Sequence, residues 1–221
     1  MIKADHKSWA RFIFTRYMNR KLKYHFSHFL LLNETPGITG NSSVIFCPNH
    51  FSWWDGFLID FICRKFYPHK VFHIMMLEEQ LKRYWFFRKL GAYSINLKNP
   101  RSIVNTINYT RSLISKDNSF ITIYPQGEYQ PVDANNIQLR KGLQKFIDTA
   151  PPGVFVFPIA FNFRFTDEKL PSIYCRFGTP LLPSDIRKDF TLFESAFREN
   201  ISLLLSESFS NKPVKDLFVD D

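Results

Sequence analysis

The alternation of short apolar runs with helix-like segments constrains the fold more than any other feature of this sequence. Runs suited to buried strands lie at 44–47, 71–76, 93–97, 120–124, 154–163 and 172–177. Segments of helical character lie at 53–65, 77–90, 102–115, 141–149 and 185–209. Strands that alternate with helices are typical of α/β layer structures. We therefore expect a single α/β domain with a mixed, largely parallel sheet flanked by helices.

A basic, aromatic segment precedes this pattern. Residues 6–32 contain neither Gly nor Pro and interleave large apolar side chains with Lys and Arg. Such a helix can lie in the headgroup region of a membrane, with its rings at the acyl boundary and its cations against anionic lipid. The pattern equally suits an amphipathic helix packed on the domain. We predict a membrane-associating amphipathic helix over 1–33, and a main domain over 34–221 after the turn-like residues 34–43.

Composition limits the class of protein and its partners. Hydrophobic residues make up 45% of the 221 positions, which is enough for a core and excludes a disordered or fibrous chain. The net charge of +9 favours an anionic partner, such as nucleic acid, a phospholipid surface or a phosphorylated substrate. Cys47, Cys63 and Cys175 are too few and too scattered for a disulfide framework or a metal site.

Two further absences concern localisation. The N-terminus lacks the order of a signal peptide, and no run approaches the roughly 18 apolar residues of a membrane-spanning helix. We expect a peripheral protein at the cytoplasmic face of a membrane. Because the sequence lacks a cluster of Cys and His, we also expect no metal and no tightly held cofactor.

The residues His50 and Asp55 form the candidate catalytic pair. On one continuous helix they would point roughly 140° apart, because each residue turns about 100°. If His50 instead lies in the turn before a helix that begins near Asp55, the carboxylate can hold Nδ1–H while Nε2 faces a substrate. A His and an Asp at this spacing are also compatible with purely structural roles.

The surrounding motifs resemble those of the glycerolipid acyltransferases, the lysophosphatidic acid and glycerol-3-phosphate acyltransferases. Residues 49–55, Asn-His-Phe-Ser-Trp-Trp-Asp, match the first motif of that family, Asn-His-x-Ser-x-x-Asp. Residues 124–128, Tyr-Pro-Gln-Gly-Glu, are similar to its Phe-Pro-Glu-Gly-Thr-Arg motif. Residues 139–142 and 157–160 resemble its aromatic-Lys-x-Gly and Val-Pro-Val elements, and residues 91–97 stand where Gly-x-x-Phe-Ile-Asp-Arg is expected.

The resemblance implies transfer of a fatty acyl group from acyl-CoA or an acyl carrier protein to a hydroxyl of a lipid-type or glycolipid acceptor at a membrane lipid surface. His50 would be the general base and Asp55 its orienting partner. The implied substrate-binding residues are Ser52, Arg101, Gln126, Gly127, Glu128, Arg140 and Lys141. Candidates for the lining of an acyl channel are Phe51, Trp53, Trp54 and Phe57, each of which also suits a helix core. Residues 34–221 would be the acyltransferase domain.

The sequence departs from the family at several polar positions. Gln126, Glu128 and Tyr129 replace Glu, Thr and Arg of the third motif, and Asn96 and Leu97 replace Asp and Arg of the second. In the family those arginines are implied to grip a phosphate, and neither Tyr nor Leu can replace a guanidinium. We therefore hypothesise a neutral acceptor, such as a glycolipid or another alcohol, whose hydroxyls could donate hydrogen bonds to Glu128. Three basic residues remain as alternative sources of positive charge: Arg101, Arg140 and Lys141.

Three other functions are open to the sequence. A basic aromatic chain can bind nucleic acid, but no RRM, KH or zinc pattern is present, so we expect no nucleic-acid partner. A serine hydrolase could use Ser52, but the Gly-x-Ser-x-Gly elbow is missing, and Ser52 also suits the cap of the following helix. The last alternative is a catalytically silent membrane scaffold of the same fold, because residues 124–129 depart from the family motif.

Overall fold

The computed structural model of the protein describes residues 1–38, 40–148, 150–210 and 212–219. Its strands are β1 Phe29–Leu31, β2 Val44–Pro48, β3 Val71–Leu77, β4 Ala92–Ile95, β5 Ser119–Thr122, β6 Phe155–Arg164, β7 Ser172–Phe177 and β8 Lys215–Asp216. Its α-helices are α1 Ser8–His25, α2 Asp55–Phe66, α3 Glu78–Arg83, α4 Pro100–Ile114, α5 Gly142–Ile147, α6 Pro183–Lys188 and α7 Phe190–Ser210. A 3-10 helix spans Trp85–Leu90.

The described strands form one sheet in the order β4-β3-β5-β2-β6-β7-β1-β8. The pairings β3–β4, β3–β5, β2–β5, β2–β6 and β1–β7 are parallel, whereas β6–β7 and β1–β8 are antiparallel. The expected mixed, largely parallel sheet is therefore confirmed. Strand β2 lies near its centre, between β5 and β6, so the residues that follow β2 emerge in the middle of the carboxyl edge.

Helices cover both faces of the sheet. Successive residues of β2 alternate between the two sides: Val44 and Phe46 pack with α1 and α2, while Ile45 and Cys47 pack with α4, α5, α6 and α7. The strand is fully buried on both faces, as parallel strands in α/β proteins usually are. The expectation of one domain flanked by helices is thus met, and an N-terminal helix is present.

The N-terminal helix is shorter than the segment 6–32 that the sequence suggested. It ends at His25, and Phe29–Leu31 form a short strand paired in parallel with Ile173–Cys175 of β7. The buried side chains of Phe29 and Leu31 explain the difference, because their partners are distant in sequence and contribute nothing to a local helical pattern. The division of the chain at residue 33 stays a prediction.

Two other predicted helices are interrupted. The segment 77–90 forms α3 and then the 3-10 helix, and it ends as expected at Gly91, which has φ 111°. A side chain at Gly91 would collide with the Phe72 carbonyl oxygen. The segment 185–209 divides into α6 and α7 at Asp189, and of the segment predicted for 141–149, Thr149 lies outside the described residues.

A histidine bridge fastens the C-terminal strand β8 to the sheet. Nδ1 of His28 lies 2.6 Å from Oδ2 of Asp216, and Nε2 lies 3.0 Å from Oε1 of Glu168. The hydrogen bonds to Asp216 and then to Glu168 raise the pKa of His28 above its usual 6.5. Protonation of His28 therefore strengthens the attachment of this strand.

Within the described ranges, none of the helices has the length and apolar character needed to cross a bilayer.

Candidate active site

His50 and Asp55 meet at the carboxyl end of β2. His50 lies two residues beyond this strand, and Asp55 is the first residue of α2. The Nδ1 atom of His50 lies 2.8 Å from Oδ2 of Asp55. This is the contact expected from the sequence, because the turn between strand and helix brings together two side chains that a continuous helix would separate. The carboxyl edge of a parallel sheet is also where α/β folds usually bind ligands.

Asp55 is held by its immediate neighbours. Its Oδ2 accepts hydrogen bonds from the backbone N–H groups of Phe51 (2.7 Å) and Ser52 (2.9 Å), and its Oδ1 accepts one from the Ser52 hydroxyl (2.6 Å). The Asp55 side chain is fully buried, whereas that of His50 is 22% exposed. The carboxylate therefore has one orientation, and it leaves Nε2 of His50 as the ring nitrogen available to a substrate.

The Ser52 hydroxyl is used inside this turn. It donates to Asp55 and accepts from the backbone N–H of Trp54, 3.1 Å away, at the start of α2. This agrees with the local capping role considered for Ser52. The structure does not bring Ser52 to the cavity lining, where a substrate-binding residue was predicted.

Gln126 does not lie in the acceptor pocket, where the sequence placed it. Its side chain is 1% exposed and spans the His50 peptide: Oε1 accepts from the His50 N–H, and Nε2 donates to the His50 carbonyl oxygen at 3.2 Å. Asn49 is bound in the same way to the backbone of Phe161 on β6, at 2.7 and 2.9 Å. Two buried amides therefore fix the backbone that carries the imidazole. An ionised Glu at 126 could accept the first bond but not donate the second.

Two tyrosine rings lie against the imidazole of His50. The ring centroid of Tyr124 is 4.2 Å away at an interplanar angle of 26°, and that of Tyr129 is 4.2 Å away at 35°. Burial, followed by the negative charge of Asp55, raises the pKa of both phenols above 10. Both rings are therefore neutral at physiological pH.

His50 opens into a cavity of about 750 Å³ with mainly apolar walls. This volume lies within the range of roughly 300–1,000 Å³ that is usual for small-molecule sites. Of the predicted channel residues, Trp53 and Phe57 line the cavity. Phe51 and Trp54 do not, because Phe51 packs on Phe163 of β6 and Trp54 on the neighbouring α1 end, at ring-centroid distances of 4.9 Å to Phe163 and 5.1 Å to His25.

Polar residues on one side of the cavity come from the loop after β5. Gly127, Glu128 and Arg140 line the cavity, and Arg140 packs across Gly127, whose φ of 73° is one that other residues rarely adopt. A nitrogen of the Arg140 guanidinium lies 3.5 Å from the Glu128 carboxylate. Of the predicted substrate-binding residues, these three are therefore brought to His50. Arg101 on α4 and Lys141 before α5 are exposed outside the cavity lining.

Much of the apolar wall had no signal in the sequence. It comes from the end of β3, the 3-10 helix and its approach, and α4, and includes Met75, Met76, Leu77, Tyr84, Phe87, Ile103 and Ile107. These residues lie 25 or more positions from His50, and each also suits an ordinary core position. The sheet order alone brings them together.

The fold and the sequence were compared with known proteins. The crystal structure of the 1-acyl-sn-glycerophosphate (LPA) acyltransferase PlsC from Thermotoga maritima is similar, with a TM-score of 0.59 and 17% sequence identity over 90% of this chain and 79% of that one. At that identity the likeness shows the fold. A comparison with curated proteins gave no match. The family model described as Acyltransferase matches residues 23–162, well over half of the chain and all five motif segments named above. The resemblance to the glycerolipid acyltransferases is thereby confirmed, and the chain belongs to the acyltransferase family.

Proposed function

We propose that this protein transfers a fatty acyl group from a thioester, acyl-CoA or acyl carrier protein, to a hydroxyl of a lipid-type acceptor, with His50 as general base and Asp55 as its orienting partner. One observation carries the proposal: an imidazole held through Nδ1 at 2.8 Å by a buried carboxylate stands in the wall of a large apolar cavity. The cavity suits an acyl chain, and the free Nε2 suits a proton acceptor.

The proposed reaction needs no covalent enzyme intermediate. Nε2 of His50 removes the proton of the acceptor hydroxyl while that oxygen attacks the thioester carbonyl carbon. The tetrahedral intermediate collapses with cleavage of the C–S bond, and the departing sulfur takes the proton from the imidazolium. The products are an ester and a free thiol, and His50 is neutral again. Asp55 stabilises the imidazolium because its carboxylate charge lies against Nδ1–H.

The residues beside His50 favour a neutral acceptor. Glu128 lies 3.5 Å from Arg140 and offsets its charge, and the Tyr129 ring covers His50 where the family has arginine. A phosphate beside Tyr129 would meet one carboxylate and one already paired guanidinium; the other cations of the cavity wall, Arg83 and Lys145, come from α3 and α5. Hydroxyl groups could donate to Glu128 and accept from Arg140, so an alcohol or a glycolipid fits better than a phosphorylated acceptor.

The first test compares thioester-dependent acyl transfer by the wild-type protein, His50→Ala and His69→Ala. His69 is an exposed histidine before β3, at the opposite edge of the sheet, and serves as the matched control. Long-chain acyl donors are offered with phosphorylated and neutral acceptors in lipid micelles. We expect transfer to be lost only in His50→Ala, with unchanged circular dichroism. Equal transfer by His50→Ala would refute the role of His50, and lysophosphatidic acid as the best acceptor would refute the neutral-acceptor proposal.

The proposed place of action is a membrane surface at the cytoplasmic side, reached through α1. This helix has two apolar faces. The inward residues are Ala10, Phe14, Met18 and Leu22, all buried. The outward face carries Trp9, Phe12, Ile13, Tyr17 and Tyr24, each more than half exposed. A helix that only packed on the domain would need the first face alone, and exposed rings beside cations such as Arg16, which lies 4.3 Å over the Phe12 ring, favour the headgroup region of anionic lipid.

Vesicle co-sedimentation tests this surface. We expect the protein to bind phosphatidylcholine vesicles that contain phosphatidylglycerol, and we expect salt to reduce this binding. The double variant Phe12→Glu/Ile13→Glu should bind roughly tenfold or more weakly, because binding would carry each introduced charge into the membrane interface. The control is Leu192→Glu, which changes a 47% exposed leucine on α7 at the other face of the sheet. Equal loss in both variants, or none in either, would contradict membrane docking through α1.

A further inference from the structure

The imidazole of His50 lies between two aromatic rings. The centroids of Tyr124 and Tyr129 are each 4.2 Å from that of His50, with interplanar angles of 26° and 35°. Two rings at this distance on the same face would contact one another. Among the ring contacts of the described residues there is none between Tyr124 and Tyr129, so the two tyrosines cover opposite faces. The in-plane edge with Nδ1 and Nε2 is left open for Asp55 and the substrate.

The loop after β5 is folded so that Tyr129 reaches back over His50. Gly127 reverses the chain with φ 73°, and the backbone N–H of Gln130 donates to the His50 carbonyl oxygen at 2.9 Å. Tyr129 therefore lies two residues after the turn at Gly127 and immediately before the anchored Gln130. Tyr129 is nevertheless 57% exposed, so little of its surface is buried against other residues. The contact with His50 accounts for its position.

We infer that Tyr129 is a positioning residue for His50: its ring stacks on one face of the imidazole and stabilises the protonated form during acyl transfer. The inference rests on the proposed function for its catalytic meaning. A ring face carries negative electrostatic potential and attracts a cation placed above it. Imidazolium forms only after His50 has accepted a proton, so the attraction acts after the proton leaves the acceptor hydroxyl. Tyr124 acts from the other face, but its hydroxyl is buried near Gly56 of α2, which makes Tyr129 the better residue to change.

Other charged groups also face the imidazole. Asp55 bonds to Nδ1, and the paired Glu128 and Arg140 stand on the same loop as Tyr129. The remaining charged groups of the cavity wall are Asp60, Arg83 and Lys145. None of these changes when Tyr129 is replaced by Phe or Leu. Leu keeps an apolar cover over His50, so water access changes little and the loss of the aromatic face is isolated.

The test measures the His50 pKa directly, by NMR titration of the substrate-free protein, in the wild type, Tyr129→Phe and Tyr129→Leu. We expect Tyr129→Phe to keep the wild-type pKa because the ring remains. Tyr129→Leu should lower it by about half a unit to one unit, since a cation over a ring contributes that much preference for the charged form. The low-pH limb of kcat/KM should move to lower pH by the same amount, because a weaker base loses its proton at lower pH. We also expect kcat to fall about three- to tenfold.

The outcomes separate positioning from other roles. An unchanged His50 pKa in Tyr129→Leu would overturn the inference, as would equal pKa changes in the Phe and Leu variants. A rise in KM with kcat and the pH limb unchanged would also overturn it and assign Tyr129 to acceptor binding. Because the titration needs no substrate, failure to find acyl transfer would remove the proposed function while the NMR result still decides whether the ring acts on His50.

Discussion

The charge of Asp55 is the part of the proposed mechanism that can be removed with the least structural change. The amide of Asn has the same shape as the carboxylate. Its carbonyl oxygen can replace Oδ2, which accepts from His50 Nδ1 and from the backbone N–H groups of Phe51 and Ser52. The reverse orientation would set an NH2 group against three N–H donors. Asp55→Asn should therefore keep the ring orientation of His50 and remove the negative charge, while the bond to Ser52 is reversed because the NH2 group must donate to Oγ.

The expected loss follows from the geometry of the pair. Unit charges about 4 Å apart interact by about 4 kcal/mol at an effective dielectric constant of about 20, and this is an upper bound for the stabilisation of the His50 imidazolium by Asp55. At about 1.36 kcal/mol per factor of ten in rate, we expect kcat/KM to fall roughly 10²- to 10³-fold.

Free-thiol release with the best acceptor measures this loss, and thermal unfolding measures stability. Asp55→Asn should unfold near the wild-type temperature, because the three hydrogen bonds to the Oδ2 position are retained and the NH2 group can donate to Ser52 Oγ. In Asp55→Ala the backbone donors lose their acceptor, so the free energy of unfolding should fall by about 1–3 kcal/mol or more. A kcat/KM of Asp55→Asn within tenfold of wild type would refute electrostatic stabilisation by Asp55.

Three further predictions concern stability. Gln126→Glu should lower the free energy of unfolding by about 1–3 kcal/mol near pH 8, because the carboxylate cannot donate to the His50 carbonyl oxygen. The loss should be smaller near pH 5, where the carboxyl group can carry a proton. Equal urea midpoints for the variant and the wild type at pH 8 would contradict this. Gly91→Ala should unfold at a clearly lower temperature because its Cβ would meet the Phe72 carbonyl oxygen, so an unchanged melting curve counts against the described turn. His28→Gln should be less stable than wild type at acid pH, and the difference should shrink as the pH rises through the raised pKa of His28, since the protonated form makes the two carboxylate contacts. A difference that grows with pH would reverse that sign.

The local chemistry of the catalytic pair was predictable because all of its contacts are local. Each group that bonds to the Asp55 carboxylate lies within five residues of it, in the turn between β2 and α2. The strand and helix character of this junction depends on residues that are neighbours in the sequence. For the same reason the alternation of strands and helices predicted the fold class, and Gly91 predicted where a helical segment ends.

Tertiary structure decided the rest of the site. Gln126 is 76 positions from His50, and nothing in either local pattern distinguishes a buried amide on the His50 backbone from an acceptor-binding side chain. The same holds for the Tyr129 ring, and for Phe51 and Trp54, which turn away from the cavity although Trp53 between them lines it.

The sequence by itself determined the class of fold and the turn that joins His50 to Asp55, because periodicity and hydrogen bonding over a few residues depend only on neighbouring residues. The shape of the cavity, the rings over the imidazole and the strand formed by 29–31 were decided by the order of strands in the sheet. That order depends on the burial of side chains contributed by distant segments, and it exists only once those segments have packed together.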